Sequence, residues 1–317
     1  MVTVQVPNFT LNNGTNIPAV GMGCWMGMPG GGKRAYEMVK LSLEKGYRHF
    51  DTADGYDNEE QVGKAIKDSG IPRSEIYITT KLNNVDHHRV QEAFAKSLQK
   101  LDTDYIDLYL MHWPQASIDG RVLNPEESPT IIETWKEMEK LLQTGKVKAI
   151  GVSNFSIKTL MQLLPHCIII PATNQVELHP YLPSTDLKEF CEKKGILLTA
   201  YSPLGRPTTD QTSALFADVL QTAQAHKANP AQVLLNWAVQ KNIIVVPKTE
   251  NPERMSTNIS LIRLSDEEIR AIDELHKQPG KHRSLLAYHN NDPGRVFGWT
   301  YEQLGWDMVE GGIIASK

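Results

Sequence analysis

The chain has 317 residues, 40% hydrophobic and 22% charged, enough to bury a sizeable core. Thirty-three basic against thirty-seven acidic residues leave a formal net charge of −4, which disfavours nucleic acid and anionic membranes and points to small-molecule partners. Three cysteines, Cys24, Cys167 and Cys191, form no C-x-x-C pair, so no disulfide framework or structural zinc site is expected and a reducing, cytoplasmic setting fits.

Met1 to Asn16 is polar and turn-rich, without a secretory pattern, and the most apolar stretch, Leu160 to Ala172, is broken by Pro165, His166 and Pro171. Within the first segment Phe9-Thr10-Leu11 and Thr15-Asn16-Ile17 flank Asn13-Gly14, a dipeptide suited to the positive φ angles of a tight hairpin turn. Strand-like runs then recur at Val20 to Cys24, Arg48 to Thr52, Ile76 to Lys81 and Tyr105 to His112. Four more follow at Lys148 to Val152, Thr173 to Val176, Leu197 to Tyr201 and Ile243 to Val246. Helix-period segments such as Ala35 to Lys45, Val90 to Leu101 and Thr130 to Gln143 separate them. Eight such units predict an α/β protein with a (β/α)8 TIM barrel in a single domain over 1–317. The hairpin, about 9–17, should close the floor of a barrel spanning about 18–275, followed by a long tail over about 277–317.

An open doubly wound sheet would need a G-x-G-x-x-G turn after its first strand. Gly21-Met22-Gly23-Cys24-Trp25-Met26 lacks the third glycine, and its bulky residues obstruct approach to a pyrophosphate. The following Gly27 to Arg34 almost spells a P-loop, but Arg34 replaces the hydroxyl residue that would hold magnesium, leaving an ordinary βα loop.

Barrel chemistry sits at the carboxyl ends of strands. Asp51, Lys81 and His112 close three successive strands, and Tyr56 follows in the first of the next loops. Each alone reads as a solvated cap or core filler; together they suit carbonyl reduction. A carbonyl accepting hydride needs a proton, a free tyrosine near pKa ~10 is a weak acid, and a Lys81 ammonium fixed by Asp51 should lower Tyr56, while His112 orients the carbonyl.

These residues resemble the aldo-keto reductase family. The likeness rests on Gly46-Tyr47-Arg48-His49-Phe50-Asp51-Thr52-Ala53, the Tyr56 to Glu59 stretch, His112-Trp113-Pro114, Gly145-Lys146 through Gly151-Val152-Ser153-Asn154-Phe155, and Asn174-Gln175-Val176-Glu177. The resemblance implies the barrel fold, reduction of aldehydes or ketones, and an extended NADPH bound without a Rossmann motif. It assigns Asp51, Tyr56, Lys81 and His112 to catalysis, and Ser153, Asn154 and Gln175 to the nicotinamide carboxamide, with Tyr201 stacked on the ring. Ser153-Asn154 also reads as a helix N-cap before Ser156 to Leu164. Ser202, Pro203, Leu204 and Gly205 resemble the family's pyrophosphate loop, with Gly23, Cys24, Trp25 and Asp51 completing the groove.

Pro247, Lys248, Thr249, Glu250, Asn251, Arg254 and Asn258 resemble the segment holding the adenosine end. Lys248 and Arg254 suit the 2′-phosphate of NADP, which favours NADPH over NADH, although Glu250 sets a carboxylate beside it. Trp25, Tyr56, Asn83, His112 and Trp113 frame the expected substrate mouth, with Asn83 where many members carry tryptophan. Tyr288, Phe297 and Trp299 are candidate contacts from the tail. A monomer acting on a small-molecule carbonyl, with no metal, is expected. The alternatives are a cofactor-sensing regulatory subunit and a metal-dependent barrel enzyme. For the latter the sequence offers no ligand cluster at strand ends, and His87-His88 reads as helix surface.

Overall fold

A computed structural model describes residues 5–205 and 214–314. Eight parallel strands stand in chain order: β1 (Met22–Gly23), β2 (His49–Asp51), β3 (Tyr77–Leu82), β4 (Ile106–Met111), β5 (Val147–Ser153), β6 (Thr173–Glu177), β7 (Leu197–Tyr201) and β8 (Ile244–Val245). A parallel bridge from Val20 to Val245 joins the first strand to the last, and Gly21 N donates to Val245 O at 2.8 Å, so the sheet closes into a barrel. The eight strands coincide with the eight apolar runs of the sequence.

Helices α1 (Gly32–Glu44), α2 (Glu59–Asp68), α3 (Val90–Lys100), α4 (Ile131–Leu142), α5 (Ile157–Leu163) and α6 (Thr185–Lys193) follow the first six strands. Three more, α7 (Ala214–Asp218), α8 (Leu220–Ala225) and α9 (Pro230–Gln240), lie between β7 and β8, and α10 (Pro252–Asn258) follows β8. The sequence marks the start of α4 well, because Thr130 caps it reciprocally with Glu133.

Alternation across each strand sorts the side chains. Phe50, Ile78, Ile150, Val152, Leu198 and Val245 face outward into the main core beneath the helices. Tyr77, Leu108, Leu110, Ala149 and Ile244 face inward and pack against Leu11 and Ile17 from the hairpin. The hairpin pairs Asn8–Thr10 with Asn16–Pro18 and is pinned to the barrel floor by Asn12 Nδ2 donating to Pro171 O and Asn13 Nδ2 to Lys148 O. Its turn departs from expectation. Leu11 N donates to Thr15 O and Gly14 N to Leu11 O, leaving three loop residues of which only Gly14 has a positive φ, +82°. Asn13 is therefore free of the left-handed strain that a two-residue turn would impose, and its side chain serves the floor contact instead.

His87 departs from expectation too. It is buried, with Nδ1 3.4 Å from Thr134 Oγ1, and burial, with help from His88, pushes its pKa down to about 3. Only His88 is on the surface. A short ribbon, Ser117–Ile118 with Arg121–Val122, occupies the loop after β4. The tail carries two further ribbons, Arg295–Val296 with Trp299–Thr300 and Met308–Val309 with Ile313–Ile314, and packs Val296, Trp299, Tyr301 and Leu304 around Trp113. Its last three residues, 315–317, lie outside the described residues. No helix among the described residues is long and apolar enough to cross a membrane.

Because Ile17 is wholly buried between hairpin and barrel, Ile17→Ala should lower unfolding free energy by about 2–5 kcal/mol in urea denaturation. A change below about 0.5 kcal/mol would show that the floor plug contributes little.

Candidate active site

The inward positions that are apolar at the barrel floor turn polar at the carboxyl end. Asp51 ends β2, Lys81 lies in β3, His112 follows β4, Ser153 ends β5, Gln175 lies in β6 and Tyr201 ends β7. Strand parity points all six at the same mouth. Tyr56 enters from a short helical turn, Asp54–Tyr56, after β2.

Lys81 is fully buried, and its ammonium donates to three acceptors: Asp51 Oδ1 at 2.5 Å, Thr52 O at 2.8 Å and the Tyr56 hydroxyl at 3.5 Å. Burial alone would lower the Lys81 pKa, but Asp51 and Tyr56 more than offset it and hold the group above its ordinary value. The lysine is thus a permanent cation. The second Asp51 oxygen accepts from Gln175 Nε2 at 2.6 Å.

The Tyr56 ring meets the His112 ring edge to face at 5.5 Å, and the Lys81 ammonium lies 4.9 Å from the Tyr56 centroid. The acidity of Tyr56 departs from expectation. Burial dominates and raises its pKa, and the opposing pull of Lys81 offsets this only in part, with Asp51 adding to the rise. The resting phenol is firmly protonated. Burial, followed by the Lys81 charge, holds His112 well below the usual imidazole range, so it is neutral.

The expected nicotinamide residues form one hydrogen-bonded set. Ser153 Oγ donates to Gln175 O at 2.8 Å, Asn154 Nδ2 donates to Ser153 Oγ and His112 O, and Tyr201 OH donates to Asn154 Oδ1 at 2.7 Å. Gln175 is engaged with Asp51 rather than free. The N-cap reading of Ser153-Asn154 does not hold: Ser156 caps α5, reciprocally with Thr159, while Asn154 sits at φ +65°. Ser202 and Gly205 form a tight turn, Gly205 N donating to Ser202 O, with Pro203 and Leu204 between them. A Cβ on Gly205 would lie 2.6 Å from Leu285 of the tail.

At β1, Gly23 approaches β8 so closely that a Cβ would lie 2.6 Å from Val246 O, which its lack of a side chain permits. Strand parity turns the Cys24 side chain outward into the main core, while its backbone N donates to Asp51 O and its O accepts from Asn58 Nδ2. Trp25 faces the mouth, 5.1 Å from the Tyr56 ring. Trp113 is buried and meets Phe297 and Tyr288 edge to face and Trp306 at a tilt. Asn83 turns its amide to Asp54 Oδ2 at 3.2 Å. Of the tail aromatics, Tyr288 and Phe297 reach this rim, whereas Trp299 is buried with its indole donating to Leu123 O.

Beyond β8, Pro247 O accepts from Gly23 N, Thr249 Oγ1 accepts from Asn251 N, and Asn251 caps α10 by accepting from Glu253 N and Arg254 N. Asn258 is buried at the far end of that helix. Arg254 is exposed and its guanidinium makes no hydrogen bond or ion pair within the described residues. Glu250, suspected of opposing a phosphate, is itself held by Lys248 and Arg34.

Several contributing residues escape sequence reading. Asn58 links the Thr52 hydroxyl to Cys24 O and so joins β2 to β1. Glu177 accepts from Ser284 Oγ at 2.5 Å and Leu285 N at 2.8 Å, anchoring the tail. Both fall inside stretches that carry the family resemblance, yet spacing alone does not reveal their partners.

The model for the Aldo/keto reductase family matches residues 20–277. A glycerol 2-dehydrogenase (NADP(+)) of Saccharomyces cerevisiae is 42% identical over 307 residues, covering 91% of this chain and 96% of that protein. An aldehyde reductase of the same yeast is 42% identical over 291 residues, covering 86% and 92%. Among solved structures, a Bombyx mori aldo-keto reductase in complex with NADP superposes with a TM-score of 0.79 at 35% identity, covering 86% of this chain and 93% of that one. A family match running from the first barrel strand past the eighth takes in every strand end that carries the polar cluster, and the chain belongs to the aldo/keto reductase family.

Proposed function

We propose that the protein reduces aldehydes or ketones to alcohols with NADPH as reductant and Tyr56 as proton donor. The observation that carries this is the buried Lys81 ammonium, fixed by Asp51 and in contact with the Tyr56 hydroxyl.

The donor chemistry fits the cofactor. Amide and hydroxyl groups of Ser153, Asn154 and Gln175 would orient a carboxamide, and the Tyr201 ring would support one face of a nicotinamide. The Ser202 to Gly205 turn offers backbone to a pyrophosphate, and Lys248 and Arg254 offer charge to a 2′-phosphate, which neutral ribose would not require. Bound in this way, a reduced nicotinamide would supply the hydride.

The remaining roles belong to the chain. Neutral His112 donates a hydrogen bond to the substrate carbonyl and biases its oxygen toward Tyr56. As negative charge develops there, the phenol gives up its proton, because an alkoxide is a far stronger base than a phenolate. Lys81 stabilises the phenolate left behind, which explains why an ammonium is worth burying although it does not make the resting phenol acidic. Asp51 is a positioning group that keeps Lys81 charged. Trp25, Trp113, Tyr288 and Phe297 make the rim apolar, while Asn83, held by Asp54, leaves it open and polar on one side. A monomer in a cytoplasmic, reducing setting completes the proposal; the three free cysteines fit the reducing setting. The intact set of proton-handling groups weighs against a regulatory subunit without turnover.

Tyr56→Phe removes the proton while keeping the ring, and should cut kcat about 10²- to 10⁴-fold with little change in NADPH affinity. Full activity would sink the mechanism. Because His112 titrates well below its ordinary range and Tyr56 above its own, both hold one protonation state near neutrality. The kcat/KM for reduction should therefore be flat from about pH 6 to 8, without a histidine inflection near ~6.5; such an inflection, lost in His112→Gln, would show that the imidazole is exposed to titration. Arg254→Ala should raise the dissociation constant for NADPH about tenfold more than that for NADH, read by fluorescence titration, and equal losses would remove Arg254 from the phosphate.

A further inference from the structure

The glycine-rich loop between β1 and α1 resembles a P-loop that fails at Arg34, and the structure gives that residue a partner far away in sequence. Arg34, in the first turn of α1, forks onto Glu250: Nε lies 3.0 Å from Oε2 and one terminal nitrogen lies 2.8 Å from Oε1. Lys248 Nζ reaches the same Oε1 at 2.5 Å. First Arg34 and then Lys248 drive the Glu250 pKa down to about 2, so the carboxylate is anionic at every working pH. Neither cation has another hydrogen-bond partner within the described residues. Barrel closure makes this possible, since β1 and β8 are neighbours and bring the start of α1 beside the loop that leads to α10.

A bidentate arginine and a lysine converging on one set of oxygens is the arrangement that recognises a phosphate monoester. Here the oxygens are supplied by the protein. Arg254 stands in the first turn of α10, four residues on, and its guanidinium has no partner among the described residues. Three cations and one carboxylate leave the group with a net charge of +2, which matches a phosphate monoester at about −1.5 to −2 near neutral pH.

We propose that Arg34 is a third ligand of the cofactor's 2′-phosphate, and that Glu250 is a resident stand-in that holds Arg34 and Lys248 until the phosphate displaces it. This rests on the reading of NADPH as cofactor with Lys248 and Arg254 at its phosphate. The ion pair is exposed, Arg34 by 62% and Glu250 by 35% of their side-chain surface, so exchanging one anion for another carries little desolvation cost. A dianion offers more charge and a third oxygen, so it wins the two cations. An uncharged ribose does not, and in its presence Glu250 keeps both.

The test is calorimetric titration of the full-length protein with NADPH, NADH, 2′,5′-ADP and 5′-ADP. Arg34→Gln should weaken NADPH and 2′,5′-ADP about 5- to 20-fold while leaving NADH and 5′-ADP within about twofold. Glu250→Gln removes the competing carboxylate and should tighten the two phosphate-bearing ligands about threefold or more at low salt. No change in Arg34→Gln, or equal losses with and without the 2′-phosphate, overturns the arginine's role. Weaker NADPH binding in Glu250→Gln overturns the stand-in role, because the carboxylate would then be a support and not a competitor. Lys248→Met and Arg254→Ala separate the two levels. If they discriminate between NADPH and NADH while Arg34→Gln does not, only the present inference falls; if none of the three discriminates, the parent assignment of the phosphate falls with it.

Discussion

The site is built around one buried ion pair. Taking an ammonium and a carboxylate out of water costs several kcal/mol per ion, and a pair so placed is tolerated only when every proton and lone pair finds a partner. The Lys81 ammonium has three protons and meets three acceptors, Asp51 Oδ1, Thr52 O and Tyr56 OH. The other Asp51 oxygen takes the Gln175 amide. Satisfying the pair thereby fixes the ends of β2, β3 and β6 and the turn that carries Tyr56. The charge proposed to stabilise a phenolate and the geometry that aims the phenol come from the same set of hydrogen bonds.

The tail is joined to this arrangement by a second buried carboxylate. Glu177, two residues beyond Gln175 on the same face of β6, binds Ser284 and Leu285, and His179 Nε2 lies 2.9 Å from its Oε1. Although burial works against the charged form, these partners keep Glu177 below the usual glutamate range. Leu285 then packs on Gly205, and Tyr288 sets its hydroxyl 3.2 Å from that of Tyr201, which continues through Asn154 to His112 O. The segment bordering the substrate mouth and the residues proposed to orient the nicotinamide are therefore one hydrogen-bonded unit.

Much of this was legible in the sequence because a strand's period of two is strict. Once Tyr77, Thr79 and Lys81 are read as one face of β3, and Leu108, Leu110 and His112 as one face of the run through β4, a polar residue at the carboxyl end can only point into the mouth. The same rule shows why Cys24 does not: it lies one residue off that face. What remained hidden depends on contacts that no local pattern encodes. Arg34 and Glu250 are 216 positions apart and meet because the barrel closes. His87 looks like surface because it follows a polar turn, yet Thr134 of α4 covers it. Asn13-Gly14 suggests a two-residue turn, but Leu11 and Thr15 close a three-residue loop from which Asn13 reaches Lys148 O on the floor. Tyr56 was expected to be acidic from the charge beside it; burial, invisible in a list of neighbours, is the larger effect.

The two charge centres differ in the respect that their proposed tasks require. Lys81 is wholly buried and its partners are permanent, so its field at the phenol is screened neither by salt nor by water. The Arg34, Lys248 and Glu250 group lies at the surface, where each interaction is worth little and partners exchange readily. A proton donor must be in register at every turnover and gains from a rigid, low-dielectric setting. A cofactor must arrive and leave, and a site holding it too firmly would turn product release into the slow step. With the strong, fixed pair at the proposed chemistry and the weak, exchangeable one at the proposed phosphate end, a single barrel would meet both demands.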